Sequence, residues 1–212
     1  MPIIALANLK GGVGKSTLAV NLAGALAPRS ALVDADPQGT ATAWGEAGGL
    51  PFPVHALPLL TGANIPAWIE AVLALDAGHI LIDLPPMLGD ATAGALAICD
   101  LAVIPVSPSG ADLRATNRAV ALIHEAREAR GDGRPRALLV PSKVDRRTAA
   151  GAEIEAALHE YGEPVGPGIA QRIAHADAFS AGQWIGTYAP GTAAHAEVKA
   201  LAGVVKRLAG KG

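Results

Sequence analysis

Short apolar runs alternate with longer segments whose apolar residues recur at helical spacing along most of the chain. Apolar runs of this length without polar alternation are typical of strands that are buried on both faces of a parallel sheet. The pattern predicts five such strands and a weaker sixth, which are Ile3–Ala7, Ala31–Asp34, Ile80–Asp83, Leu101–Val106, Ala137–Pro141 and, weakest, Val165–Ile169.

The longer segments between these strands predict helices. They are Lys15–Leu26, Ala63–Leu75, Ala91–Ile98, Ala115–Arg130, Ala149–Tyr161 and a last helix at about Thr192–Leu208. In the last helix Val198, Leu201, Val205 and Leu208 share one face, which we expect to pack on the sheet. Alternating strands and helices indicate an α/β fold with three layers, in which a mostly parallel twisted sheet carries helices on both faces.

Two Pro- and Gly-containing segments, Pro51–Pro53 and Gly131–Pro135, interrupt the pattern. Each is short and is followed by an apolar run, so we interpret both as loops within one domain that spans residues 1–212. The first predicted strand begins at residue 3. We therefore expect no helix-turn-helix module ahead of it.

Composition fits a buried α/β body, since 50% of the residues are hydrophobic and 17% are charged. No apolar stretch is long enough to cross a membrane, and the lone Cys99 has no partner for a disulfide, so we expect a cytoplasmic protein. The net charge of −2 is unevenly distributed: residues 1–113 carry 3 basic and 9 acidic side chains, and residues 114–212 carry 14 and 10. A basic half of this kind is consistent with a polyanion-binding face or with an ordinary solvated surface.

A glycine-rich segment, Lys10-Gly-Gly-Val-Gly-Lys-Ser-Thr17, lies between the first strand and the first helix. Small residues let successive backbone N–H groups turn toward a phosphate, and a following helix adds its N-terminal dipole. The segment departs from G-x-x-x-x-G-K-[ST], because Leu9 stands where that pattern has glycine and Lys10 follows it. The predicted nucleotide contacts in this phosphate loop are Lys10, Gly11, Gly12, Val13, Gly14, Lys15, Ser16 and Thr17.

Acidic residues follow the second and third predicted strands. In Asp34-Ala-Asp36-Pro-Gln-Gly39 the two carboxylates are two residues apart, so one can face a metal shell and the other an attacking water. Asp83 ends an apolar strand and precedes Pro85 and Pro86, an arrangement that holds Mg²⁺ through water in phosphate-loop enzymes. Because the carboxyl ends of parallel strands meet at one edge, we expect these groups beside the phosphate loop.

At these residues the chain resembles the ParA and MinD family of deviant Walker A ATPases, and within it the small partition ATPases that lack an N-terminal helix-turn-helix domain. The resemblance covers nearly the whole chain, and 104–114 also resembles the segment after the corresponding ParA strand. It implies a P-loop NTPase fold of the deviant Walker A type, with ATP and Mg²⁺ as cofactors.

The resemblance also implies a role for each matching residue. Lys10 is the signature lysine that reaches the phosphates of the partner subunit in an ATP-bound sandwich dimer, whereas Lys15 serves its own nucleotide. Ser16 ligates Mg²⁺ and Thr17 contacts the α-phosphate. Asp36 lies near the metal and positions the hydrolytic water, and Asp83 holds the water shell of the metal. Hydrolysis is expected to stay slow until a partner protein completes the site.

The tetrapeptide Ser142-Lys143-Val-Asp145 lies where this family usually contacts the base, so Ser142 and Lys143 are predicted nucleotide contacts. It is also similar to the N-K-x-D guanine signature of GTPases, which leaves GTP open beside the favoured ATP.

The family further implies ATP-dependent, nonspecific binding of double-stranded DNA, with a nucleoid-associated location. Seven basic residues are candidate DNA contacts: Arg127, Arg130, Arg146, Arg147, Arg172, Lys199 and Lys206. The leading hypothesis is an ATPase that dimerises on ATP binding, partitions or positions a plasmid, a chromosome or another large cargo, and is stimulated by a ParB-like partner.

Two other classes of function remain as alternatives. A MinD-like regulator would dock the basic segment from Val198 to Lys211 on anionic lipid, although the small apolar residues there make a membrane partner unlikely. A metabolic relative, such as dethiobiotin synthetase or the nitrogenase iron protein, is the other. The iron-protein version requires four thiolates for a bridging cluster, and two copies of Cys99 provide two.

Overall fold

The computed structural model describes residues 1–60, 62, 64–87 and 89–210. In this part of the chain, six strands form one parallel sheet in the order β3-β2-β4-β1-β5-β6. The strands are β1 (Ile3–Leu6), β2 (Ser30–Asp34), β3 (Val54–Ala56), β4 (His79–Asp83), β5 (Leu101–Val106) and β6 (Arg136–Pro141).

Helices cover both faces of this sheet. They are α1 (Lys15–Leu26), α2 (Thr40–Glu46), α3 (Ile65–Leu73), α4 (Asp90–Ile98), α5 (Gly110–Arg130), α6 (Ala149–His159), α7 (Ile173–Ser180), α8 (Ile185–Tyr188) and α9 (Ala193–Ala209). Two separate apolar clusters show the layering. One joins the sheet to α3, α4, α5 and α6, and the other joins it to α1, α2, α7, α8 and α9. The predicted three-layer α/β fold is confirmed.

Local sequence accounts for the start of several helices. Asn64, Ser109, Thr148 and Thr192 each accept a hydrogen bond from a backbone N–H three residues later, at the starts of α3, α5, α6 and α9. Such side chains satisfy one of the backbone donors that have no partner in the first helical turn. The apolar face predicted for the last helix packs on the sheet, since Val198, Leu201 and Val205 are fully buried.

The five stronger strands and the six helices occur near their predicted positions; Ala63, the predicted first residue of α3, lies outside the described residues. The sixth strand is wrong, because Val165–Ile169 forms a single isolated bridge, Leu139 to Val165, and the next bridge joins Val144 to Ala170 just beyond it. Gly166, Pro167 and Gly168 interrupt it, and proline has no N–H for a ladder. The pattern also missed β3, α2, α7 and α8. These elements are short, with three to eight residues each, and glycine or proline residues lie close to them in the sequence.

Candidate functional site: a phosphate loop with buried charges

The predicted phosphate loop connects β1 to α1 at the carboxyl edge of the sheet. Gly12 and Gly14 have φ angles of 78° and 95°, a region that glycine adopts without strain. A Cβ at Gly14 would also lie 3.1 Å from the Ser142 hydroxyl. The helix begins at Lys15, so its free N–H groups and dipole point into the turn. The geometry is that of an anion cradle.

Lys15 is buried at the base of this cradle. Its side chain is directed back along the loop, where Nζ donates to the Lys10 carbonyl at 3.2 Å. Burial lowers the pKa of Lys15 below its usual value, and the Asp83 and Asp36 carboxylates partly offset that effect. These two charges compensate a buried ammonium that has no carboxylate in direct contact among the described residues.

Asp83 is a carboxylate in an unfavourable, buried environment. It ends β4, where its neighbours across the sheet are Leu6 and Asp34. Both carboxylate oxygens are buried and have no hydrogen-bond partner in the part of the chain that the structure describes. Burial raises the pKa of Asp83 from 3.8 to about 7, an effect that the Ser16 hydroxyl and Lys15 oppose. A buried, unpartnered carboxylate beside a hydroxyl fits a hard cation or its water shell.

The two aspartates after β2 have different environments. The buried Asp34 carboxylate accepts from the Thr42 N–H at 2.7 Å, from the Thr42 hydroxyl at 2.8 Å and from the Asp36 N–H at 3.2 Å. Asp34 therefore anchors α2 and the turn, and the expectation that both carboxylates face the ligand fails for it. Asp36 is half-buried and accepts only the Gln38 N–H, at 2.9 Å. It remains available to a ligand.

Lys10, the first residue of the phosphate loop, contacts a different acidic residue. Its ammonium forms an ion pair with Asp112, a buried residue in the first turn of α5. Asp112 lies in the ParA-like segment 104–114, but the sequence pattern assigned it no role, because 102 positions separate it from Lys10. Only the packing of α5 against the sheet brings them together.

Ser142 and Lys143, the predicted base contacts, support the phosphate loop from the end of β6. The Ser142 hydroxyl donates to the Val13 carbonyl at 2.8 Å, and the Lys143 ammonium donates to the Gly12 carbonyl at 2.6 Å. Lys143 itself has a positive φ of 55°, which is uncommon outside glycine. Both residues also line a cavity beside the loop.

That cavity has a volume of about 480 Å³ and opens next to the first turn of α1. Trp44 and Phe179 meet there edge to face, with ring centroids 5.0 Å apart. It is lined by Gly14, Thr17, Leu18, Thr40, Trp44, Ser142, Lys143, Ile169, Ala170, Gln171, Arg172, His175, Ala176, Phe179 and Ser180. Sequence reasoning missed the aromatic wall because it did not predict α2 or α7. The signal in the sequence was weak: Trp44 lies between Gly39 and Gly48, and Phe179 lies shortly before Gly182.

Five of the seven basic residues proposed for DNA are held in ion pairs. Arg127 pairs with Glu163, Arg130 with Asp132, Arg146 with Glu155, Arg147 with Asp145 and Arg172 with Glu197. Lys199 and Lys206 are exposed on α9 and form no ion pair with the residues that the structure describes. They are seven positions apart, so they lie on the same face of the helix.

Metal-ligating side chains, the single thiol and the helices bear on other classes of site. No group of three or more His, Cys, Asp or Glu side chains is arranged to hold a metal ion by itself among residues 1–60, 62, 64–87 and 89–210. Cys99 is fully buried, and burial raises the pKa of its thiol to about 12. Within the same ranges, no helix combines the length and the apolar character needed to cross a membrane.

Comparison with known proteins agrees with this geometry. The chain matches the family described as the CobQ/CobB/MinD/ParA nucleotide binding domain over residues 4–185. The chromosome-partitioning ATPase Soj of Thermus thermophilus is 37% identical over an alignment of 223 positions, which covers 88% of each chain. The maintenance of carboxysome distribution protein A of Halothiobacillus neapolitanus is 32% identical over 165 residues, or 76% of each chain.

A solved structure shows the same fold. The septum site-determining protein MinD from Pyrococcus horikoshii, complexed with Mg-ADP, has a TM-score of 0.74 and 20% sequence identity. The similarity covers 99% of this chain and 97% of that one. With a matching domain over most of its length, this chain belongs to the CobQ/CobB/MinD/ParA nucleotide-binding family.

Proposed function

We propose that this protein binds ATP with Mg²⁺, associates in pairs in that state and hydrolyses the nucleotide to position a large cargo. The observation that carries the proposal is the convergence of Lys15, Asp36 and Asp83 on one glycine-rich cradle. A cation, a half-buried carboxylate and a buried carboxylate are the groups that phosphoryl transfer requires for charge neutralisation and water positioning.

The residues present fit a magnesium ion. The unpartnered Asp83 carboxylate and the Ser16 hydroxyl offer oxygen atoms, which are the ligands that Mg²⁺ prefers. Asp83 would hold the water shell of the ion, Ser16 would ligate it directly, and Asp36 would orient the attacking water. The ion supplies charge neutralisation to the terminal phosphates when it is bound. Lys15 would contribute the remaining positive charge.

The 480 Å³ cavity is the proposed nucleoside site, since it adjoins Thr17 at the loop and has an aromatic wall. Ser142 and Lys143 would contact the nucleoside there. ATP is favoured over GTP because Asp145, the residue that would read guanine, does not line this cavity. Its carboxylate instead accepts three hydrogen bonds from Arg147.

Lys10 is the proposed contact between subunits. Its own loop already contains Lys15, and the Lys10 ammonium contacts Asp112 of α5 rather than the aspartates after β2 and β4. An ATP-bound pair in which each Lys10 reaches the phosphates of the other subunit would use this second lysine. Soj and the carboxysome protein are named for partition and distribution, which supports positioning of a cargo as the purpose of the cycle.

For DNA, Lys199 and Lys206 are the favoured contacts of the seven candidates. They share one face of α9 and are not engaged by acidic neighbours in the described chain, whereas binding by the five arginines first requires their ion pairs to open. A ParB-like partner that stimulates hydrolysis, and a nucleoid location, complete the proposal. Duplex DNA would be held through its phosphates and without sequence preference.

The membrane-docking alternative is not favoured by the structure of α9. Its apolar residues Val198, Leu201 and Val205 are buried in the cluster that covers the sheet, and a helix needs a free apolar face to lie in a lipid interface. Lys211, the end of the segment considered for lipid docking, lies outside the described residues.

The test is binding of the purified protein to a random-sequence duplex by biolayer interferometry, with ATP, with ADP and without nucleotide. We expect Mg²⁺-ATP to produce binding that weakens steeply with salt. The double variant Lys199→Ala/Lys206→Ala should reduce the slope of log affinity against log salt by about 2 for each bound subunit, since each lost phosphate contact changes it by about 1. Arg146→Ala removes a cation that is already paired with Glu155 of α6, and it is the matched control.

The outcomes separate the parts of the proposal. Absence of binding with ATP at low salt would refute DNA as the track. If Arg146→Ala lost DNA binding and the double lysine variant did not, the assignment of the DNA contacts to α9 would be refuted. Failure of the wild-type protein to bind ATP in an equilibrium titration would refute the nucleotide site itself.

A further inference from the structure

Asp112 has an environment that its position in α5 does not explain. Ser109 caps this helix, and Asp112 is three residues later, where an acidic side chain commonly reaches back to the N–H of the capping residue. Here the Ser109 N–H donates instead to the Ser107 carbonyl at 2.7 Å. The Asp112 carboxylate accepts from the Ser107 hydroxyl and pairs with Lys10. It is therefore directed at the phosphate loop.

The two partners differ in exposure. The Asp112 side chain is 1% exposed, and that of Lys10 is 39% exposed. Burial by itself would raise the pKa of Asp112, but the neighbouring Lys10 ammonium and the Ser107 and Ser109 hydroxyls outweigh it, so its pKa lies below the usual value. The carboxylate thus stays charged at neutral pH, and a buried charge without its counter-ion is unfavourable.

The backbone of Lys10 is fixed on both sides. Its N–H donates to the Asn8 side chain at 3.1 Å, and its carbonyl accepts from Lys15 at 3.2 Å. Asn8 is buried and donates to the Pro105 carbonyl at 2.7 Å, which ties the loop to β5. Rotation of the Lys10 side chain alone therefore decides whether the ammonium contacts Asp112 or is directed elsewhere.

The geometry points to Asp112 as a positioning residue that holds Lys10 in the single subunit and competes with the partner's nucleotide for its ammonium. This inference rests on the proposed function, in which Lys10 acts across a dimer. One ammonium cannot serve both sites, so the ion pair with Asp112 opposes association and sets the protein concentration at which ATP-bound subunits pair. The Ser107 hydroxyl partly stabilises the carboxylate when Lys10 leaves.

Two variants should shift association in opposite directions. Asp112→Asn keeps the side-chain shape but removes the charge that holds Lys10, so dimers should form at about tenfold lower protein concentration. Ser107→Ala removes the hydroxyl that stabilises the carboxylate after release, so dimers should form only at higher concentration. A merely structural weakening of the start of α5 would impair association in both variants. Asp112→Glu, which retains the charge, should restore a threshold close to that of the wild type.

The measurement is sedimentation velocity over a range of protein concentrations, with Mg²⁺ and a non-hydrolysable ATP analogue. Glu125→Gln makes the same charge change on the exposed face of α5 and is the matched control. Dimerisation of Asp112→Asn at an unchanged or higher concentration would overturn the inference. If Asp112→Asn does not fold, Ser107→Ala provides the test, and dimerisation of that variant at an unchanged or lower concentration would overturn the inference. If the wild-type protein itself does not dimerise with the analogue, the proposed function fails rather than this inference.

Discussion

The carboxylate of Asp83 should make the stability of the nucleotide-free protein fall as the pH rises. Its pKa is 3.8 in an ordinary environment and about 7 in the fold, because burial penalises the charged form. Between these two pH values the folded state binds a proton that the unfolded state has released. Stability due to this group is therefore complete below pH 3.8 and declines until the pH passes about 7.

The magnitude follows from the size of the difference. At about 1.4 kcal/mol per pH unit, the full change is about 4 kcal/mol, of which about 3 kcal/mol falls between about pH 5 and pH 8. That is a large part of the free energy of unfolding of a typical domain, which is about 5–15 kcal/mol. The buried Asp83 carboxylate thus lowers the stability of the nucleotide-free protein at neutral and higher pH.

The assay is urea unfolding of the wild-type protein and Asp83→Asn in EDTA, at pH 5 and at pH 8. We expect the wild type to lose about 3 kcal/mol more than the variant between these pH values. His79 and His175 have pKa values lowered by burial and titrate in the opposite sense, but both are retained in the variant, so the comparison cancels them. The exposed Asp76→Asn should follow the wild type. An equal loss in wild type and Asp83→Asn would refute the reasoning.

Three further substitutions test the packing of the helices by urea unfolding at constant pH. Gly24→Ala should destabilise the protein by about 1–3 kcal/mol, because the new methyl group would overlap the Trp184 ring, whereas Gly203→Ala on α9 has open space and should stabilise it by about 0.5–1 kcal/mol. Equal effects at the two glycines would contradict the packing. Asn21→Ala should cost about 1–3 kcal/mol, because the buried Ile185 N–H loses its acceptor at 2.7 Å; an unchanged free energy of unfolding would show that α8 is not held by this bond.

The phosphate loop illustrates what local sequence can predict. Backbone conformation at Gly12 and Gly14, the start of α1 at Lys15 and the turn into α5 at Ser109 depend on residues within a few positions of one another. Such features are encoded by steric freedom and capping chemistry, which act over short distances along the chain. The same holds for the strand runs, because burial on both faces leaves a continuous apolar pattern.

The wrong and missed elements have a common physical cause. The stretch from Val165 to Ile169 is apolar enough for a strand, but Pro167 and its flanking glycines deny it a regular ladder. In contrast, α7 forms although its local signal is weak, since Ala178 packs into the cluster on the α1 face of the sheet. Tertiary burial determines such short elements more than intrinsic propensity does.

Charge states and partners depend still more on the assembled structure. The sequence identified the basic residues of the second half, but it could not show that five of the seven candidates are paired with acidic side chains. Asp34 and Asp36 are equivalent in the pattern, and only the fold assigns one of them to Thr42 and leaves the other available. The difference arises from which backbone and hydroxyl groups the folded turn brings to each carboxylate, at separations of 8 residues for Thr42 and Asp34 and 2 residues for Gln38 and Asp36.

By itself, the sequence determined the parallel α/β framework, the phosphate loop and the order of the acidic strand ends, because each is a local pattern of size, polarity and spacing. Only the tertiary structure decided that Lys10 is held by Asp112, that the buried Asp83 carboxylate has no hydrogen-bond partner among the described residues and that Trp44 and Phe179 wall the cavity. These contacts join segments that are far apart in the chain. Their energies depend on burial and counter-charges, and both arise only when the sheet and its two helical layers have packed together.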